Sequence, residues 1–151
     1  MTTGVRTHTI SLVKSQKVMV KPQVEYKTNP PVTNQDLNTL FTDAWADHQY
    51  HDFVPVLTRS LGYVCAYQGD RLVGFVNVVW DGGQHAFLLD TTVCSDMQRK
   101  GIGLELVHRA RELANQAGAE WLHVDYEAYL SEFYEKCGFN NTTAGLIKLK
   151  D

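Results

Sequence analysis

In Val93-Cys94-Ser95-Asp96-Met97-Gln98-Arg99-Lys100-Gly101-Ile102-Gly103 a strand gives way to a basic, glycine-containing loop that opens a helix. The first turn of a helix carries unpaired N–H groups and a partial positive charge, and glycine lets an anion approach the backbone closely. Arg99 and Lys100 add mobile positive charge at the same place. These features suit a pyrophosphate. Two nucleotide motifs compete for it. A phosphate-binding P-loop needs Lys and Ser or Thr directly after its last glycine, whereas Gly103 is followed by Leu104 and Glu105. A dinucleotide fingerprint gains from Asp125 at the end of the next strand, but Leu106 replaces its third glycine and the loop is too long for its tight turn.

Downstream, Ile102, Leu106, Ala110 and Leu113 fall on one helical face, Gly118 is a natural stop, and Trp121 to Asp125 reads as a strand. That strand, loop, helix, strand unit predicts a right-handed crossover between parallel strands. A last helix from Tyr129 to Cys137 ends at Gly138, and one or two short strands are expected over 139–149.

Upstream, two apolar runs, Gly62 to Gln68 and Arg71 to Trp80, flank Gly69-Asp70 as a hairpin. The second run is apolar on both faces, as in a strand covered on both sides. Asp81-Gly82-Gly83 then turns the chain into a strand from His85 to Val93. Thr33 with Asp36 starts a helix whose stripe is Leu37, Leu40, Phe41 and Trp45, after a strand over Gln23 to Tyr26; a second helix spans about Phe53 to Leu61. The fold class expected is therefore α/β with a mixed, mostly antiparallel sheet, helices on both faces and one βαβ crossover. The 151 residues suit one domain over 1–151, with 1–20 an extra hairpin or a loose segment.

Composition excludes several classes. With 44% hydrophobic and 21% charged residues the chain reads as globular. No apolar run approaches a membrane span, and no apolar segment follows the early arginine as a secretory signal requires. The net charge of −3 provides no broad basic footprint for nucleic acid. Three cysteines at unrelated spacings read as free thiols in a reducing cytoplasm. Together these predict a soluble cytoplasmic protein with no nucleic-acid or membrane partner.

The segment from Val93 to Gly103 resembles the acyl-CoA-binding motif of the GNAT superfamily through Gln98, Gly101 and Gly103. One helix and one strand later, Phe133-Tyr134-Glu135-Lys136-Cys137-Gly138-Phe139 is similar to that family's F-Y-x-x-x-G-F segment. The resemblance covers about residues 62–141. It departs at Ser95, where members often have proline, and at Glu127, where many have an asparagine that helps hold the cofactor.

The resemblance implies an N-acetyltransferase that moves an acetyl group from acetyl-CoA to a primary amine of a small molecule or peptide, without a metal. It implies that Gln98, Arg99, Lys100, Gly101, Ile102, Gly103 and Leu104 hold the pyrophosphate, while Val93 and Cys94 lie along the pantetheine arm with main-chain donors for the thioester carbonyl. Tyr134 shares a stripe with Leu130, Phe133 and Cys137 and by itself reads as a core residue; the resemblance makes it the acid that protonates the leaving thiolate. Asp90 stands where many members place an acid facing the acceptor, and a structural, hydrogen-bonded aspartate is the other reading. Asp125 and Glu127 are rival bases. His51, with His48, Tyr50 and Asp52, falls where the family walls its acceptor pocket; the i, i+4 pairs Asp47/His51 and His48/Asp52 lack a further ligand for a metal site. An acyl-enzyme route through Cys94 and a non-catalytic acyl-CoA sensor are the alternatives. Edge strands near the C-terminus suit a homodimer.

Overall fold

Burial on both faces of one central strand organises the molecule. The computed structural model describes residues 23–150; the N-terminal hairpin or loose segment expected over 1–20 lies outside them. Strand β1 (Glu25–Thr28) leads to helix α1 (Asn34–Ala44), where the Thr33 side chain accepts from the Asp36 N–H and the Asp36 carboxylate accepts from the Thr33 N–H. This capping box satisfies donors that a helix start leaves free. Helix α2 (Val54–Arg59) has proline in its first turn, where the missing N–H costs nothing. Strands β2 (Gly62–Gln68) and β3 (Arg71–Trp80) turn at Gly69, which takes a φ of 59°. Strand β4 (His85–Val93) follows, then helix α3 (Ile102–Gln116), strand β5 (Trp121–Val124) and helix α4 (Ser131–Lys136).

The five strands lie in sequence order, antiparallel except for the parallel β4–β5 pair that α3 joins. In β3, Val73, Phe75, Val76 and Val78 are completely buried. Phe75 faces α1, its ring 6.1 Å from that of Phe41. Gly74 faces α3 and lets it approach: a Cβ there would stand 2.9 Å from Leu106 Cδ1. The helices thus cover opposite faces of the mixed sheet, as the sequence pattern predicts.

Strand β4 is irregular where that matters most. Asn77 pairs with Leu89 and Phe75 with Thr92, so one residue of β3, Val76, opposes two of β4, Asp90 and Thr91. This is a β-bulge, and Asp90 in it takes a φ of 57°.

Several expectations are corrected. No strand forms over 139–149, and Leu146, Ile147 and Leu149 are exposed. Leu146 and Ile147 are adjacent and would point to opposite faces of a strand, while the polar run Asn140-Asn141-Thr142-Thr143 and Gly145 separate them from the core. The first strand lies at Glu25–Thr28 rather than Gln23 to Tyr26. The last helix begins as a 3-10 turn, Ala128–Leu130, with Tyr129 outward, and its α-helical part ends at Lys136. Trp45 caps the end of α1 instead of joining its buried stripe, and its Nε1–H donates to Thr92 Oγ1 at 3.2 Å.

Candidate active site

The loop between β4 and α3 is braced by its neighbours. The Ser95 N–H and hydroxyl both donate to the Asp43 carboxylate of α1, at 2.6 and 3.1 Å, which fixes the position where a proline would have supplied rigidity. Arg71 donates to both oxygens of Asp96, at 2.8 and 2.9 Å, and holds its carboxyl far below the usual carboxylate range. Gln98 Nε2 donates to the Val93 carbonyl at 3.1 Å, and Lys100 Nζ to the Asp96 carbonyl at 2.8 Å. The side chains of Gln98, Arg99 and Lys100 are all exposed, but those of Gln98 and Lys100 are tied back to the loop's own carbonyls.

Arg99 and Gly101 take φ of 59° and 83°, turning the chain sharply into α3, which has no side-chain cap. The first N–H of α3 with a main-chain acceptor is that of Glu105, which donates to the Gly101 carbonyl at 3.1 Å. The donors of Ile102, Gly103 and Leu104 remain directed out of the helix end. At Gly103 a Cβ would lie 3.3 Å from the Phe133 ring, so the glycine lets α4 pack against the start of α3. Free amides, an open approach at Gly101 and nearby cationic side chains fit a pyrophosphate.

Beyond this loop the sheet splits. The last β4–β5 partners are Leu88 and Val124, so the β4 edge from Leu89 to Val93 has no β5 partner. The Cys94 N–H is committed to the Val73 carbonyl at 2.9 Å. By alternation the Val93 N–H turns away from β3, toward the split. Of the two residues expected along the pantetheine arm, Val93 keeps a main-chain donor for it and Cys94 does not. The Cys94 thiol is buried, and its pKa is pushed up to about 11 by that burial, with Asp96 adding to the effect.

On the α3 face of the split stands Tyr134, buried among Phe133, Phe139 and Tyr126, whose ring stacks on it at 4.7 Å. Burial raises the phenol pKa; the Thr91 hydroxyl beside it pulls the other way. Thr91 belongs to the bulge, so Tyr134 lies over the edge that β5 leaves open.

On the α1 face a cavity of about 260 Å³ is lined by Phe41, His48, Gln49, His51, Phe53, Val56 and Asp90. Asp90 opens on solvent at one edge, yet the walls strip enough water from its carboxyl to raise the pKa, an effect that His51 opposes. Among the described residues no donor reaches that carboxylate. The aspartate of a structural network, one of the two readings open to Asp90, would have such partners. Asp125 and Glu127 do not line this cavity; both are exposed after β5. Asp52 is also placed elsewhere: it accepts from Asn34 Nδ2 and the Val54 N–H, which lowers its pKa.

Sequence reasoning missed Asn38. It is buried in α1, its Nδ2 donates to the carbonyls of Asn34 and His51, and its Oδ1 meets the His51 N–H and His48 Nε2, each at 2.8 Å. A polar residue beside Leu37 on the buried face of an amphipathic helix was the available signal. Buried Asn77, whose amide has no hydrogen-bond partner among the described residues, gave a similar one.

Among known proteins, the Acetyltransferase (GNAT) family profile matches residues 31–139. A GNAT-family acetyltransferase from Streptococcus pneumoniae superposes with a TM-score of 0.72 at 24% identity, over 85% of this chain and all of that one. Glucosamine-6-phosphate N-acetyltransferase from Arabidopsis thaliana gives 0.67 at 15%, over 84% and 99%. An aminoglycoside N-acetyltransferase in complex with CoA gives 0.70 at 13%, over 88% and 98%. These likenesses share the fold. No curated protein sequence matches the chain.

Proposed function

The chain belongs to the Acetyltransferase (GNAT) family, and we propose that it transfers the acetyl group of acetyl-CoA directly to a primary amine. The carrying observation is the split between β4 and β5. It has the anion-binding helix start at one end, Tyr134 on one face and the Asp90 cavity on the other. A thioester laid along the free β4 edge would present its carbonyl to the Val93 N–H and its sulfur to the Tyr134 side. An ammonium in the cavity meets a carboxylate that no donor reaches among the described residues. Its walls include Phe41, Phe53 and Val56, which suits an amine carried on an apolar body better than a polycation.

Direct transfer is favoured over an acyl-enzyme because the Cys94 thiol is buried and raised, and the thiolate is the nucleophile. Burial keeps Tyr134 protonated well above neutral pH, so it has a proton to give. Three buried free cysteines suit a cytoplasmic setting, and among the described residues no helix is long and apolar enough to cross a membrane.

The test is thermal melting with acetyl-CoA, CoA and NAD, followed by an amine screen for thiol release. A ligand at about 100 times its Kd adds about 2.7 kcal/mol. A shift with both CoA species but not NAD, followed by thiol release with an amine, is expected. No shift with millimolar CoA would refute the cofactor site, and a shift without turnover on any amine would favour the sensor reading.

A further inference from the structure

We propose that His48 is the base that takes the proton from the acceptor ammonium, its tautomer set by Asn38; this rests on the amine-acetylation reading above. The argument begins with the Asn38 amide, whose orientation is fixed by four partners. Its nitrogen must face the two carbonyls, of Asn34 and His51, and its oxygen must face the His51 N–H. Turning the amide over would set NH2 against an N–H and oxygen against two carbonyls. Oδ1 is therefore an acceptor where His48 Nε2 meets it at 2.8 Å, and Nε2 carries the hydrogen. In the neutral ring the basic lone pair is then on Nδ1.

Position agrees with that chemistry. His48 and Asp90 line the same cavity, and the His48 ring is held against Phe41 at 5.5 Å between centroids. Asp90, which no donor reaches among the described residues, attracts the ammonium; a histidine is better matched than a carboxylate to accept a proton near neutral pH. His48 Nδ1 takes one proton from R–NH3+, leaving R–NH2. The nitrogen lone pair attacks the acetyl carbon and the C–S bond breaks. Tyr134 protonates the leaving thiolate, and the second proton shed by nitrogen as the amide forms replaces it. The proton on His48 passes to solvent, which the half-buried ring reaches.

The test uses the full chain and the primary amine that gives the fastest thiol release in a panel of benzylamine, spermidine and amino-acid amides. His48→Gln keeps an N–H for Asn38 but cannot take a proton. We expect it to lose about 10²–10⁴-fold in kcat/KM with that amine, and to stay within about threefold of wild type with trifluoroethylamine, which is already neutral at the assay pH. His48→Ala should regain rate with free imidazole. Equal loss on both amines, or no loss on either, overturns the inference. Nitrogen-15 spectra of the histidine rings give a substrate-independent check: a neutral His48 with its hydrogen on Nδ1 also overturns it. If wild type acetylates no amine in the panel, the amine-acetylation reading fails instead, and the spectra still decide the tautomer.

Discussion

Gly101 is where a single methyl group should separate loop geometry from loop chemistry. Its φ is 83°, and a Cβ built there meets nothing within 4 Å. Alanine at this position therefore suffers no clash with other residues, and its whole cost is the left-handed backbone, about 1–2 kcal/mol. If the loop holds its shape, the cost falls on folding, and for a chain of this size the Gly101→Ala melting temperature should drop by about 2–8 °C. If the loop relaxes instead, the amides of Ile102, Gly103 and Leu104 lose their aim. The same energy then appears as roughly a 5–30-fold weaker CoA Kd. Asparagine tolerates the left-handed region better than alanine, so Gly101→Asn should cost less than Ala, and Gly101→Val more than either. Thermal melts with and without CoA, together with calorimetric titration of CoA, read both quantities. An alanine variant equal to wild type in both measurements would refute the reasoning, as would asparagine costing as much as valine.

Three further outcomes are expected. Tyr134→Phe should lower kcat by about 10²–10⁴-fold while CoA affinity, read by titration, stays within a factor of two or so; an unchanged kcat would remove Tyr134 as the acid. Asp90 has a folded-state pKa above its unfolded value, so the folded chain keeps a proton that the unfolded chain has already lost. Stability then falls as pH rises through the window above the ordinary carboxylate pKa, and stays lower beyond it. Asp90→Asn should accordingly melt higher than wild type at neutral pH, with the gap closing in acid, and should raise the acceptor KM; a variant that melts lower at neutral pH would contradict the desolvated carboxylate. Gly74→Ala places a methyl 2.9 Å from Leu106 Cδ1 and 3.3 Å from both Ala66 Cβ and Ile102 Cγ2; overpacking of this kind costs about 1–3 kcal/mol, read as C_m in urea at unchanged slope.

What could be read from the residues alone was whatever depends on near neighbours in sequence. Thr33 with Asp36, the Gly69-Asp70 turn and the stripe Ile102, Leu106, Ala110 each announce an element through local chemistry, and each is found. The glycine loop is legible for the same reason, because its chemistry is that of a helix start. The bulge at Asp90 was not. Leu88-Leu89-Asp90-Thr91-Thr92 reads as an ordinary strand, and only its pairing with β3 shows the extra residue. The Asn38 network joins residues 13 apart through a loop of no regular pattern, so a polar residue on the buried face of α1 marks the position but nothing local names its partners. Where Asp125 and Glu127 fall depends on where β5 stops: the strand ends at Val124, and neither residue lines the Asp90 cavity.

The bulge also sets which residues of β4 face which layer. In a regular strand consecutive side chains alternate between the two faces. Leu89 and Thr92, three residues apart, pair with Asn77 and Phe75 on one face of β3, so the extra residue resets the alternation after Leu89, where Asp90 takes its positive φ. Asp90 opens into the α1 cavity with His48, the next residue, Thr91, reaches Tyr134 on the α3 side, and Thr92 is tied back to Trp45. The Asp90 cavity and Tyr134 thus meet neighbouring residues of the β4 edge that β5 leaves open, with the Val93 N–H next along it. Aspartate is among the few non-glycine residues that accept this backbone shape. A glycine at position 90 would keep the bulge and lose the carboxylate, so Asp90→Gly should leave CoA binding intact while raising the acceptor KM, as Asp90→Asn does. Asp90→Val should also disturb Thr91 and Tyr134, and lower kcat well below that of the glycine variant. Equal kcat for the valine and glycine variants would mean that the bulge does not align the two proton-transfer groups.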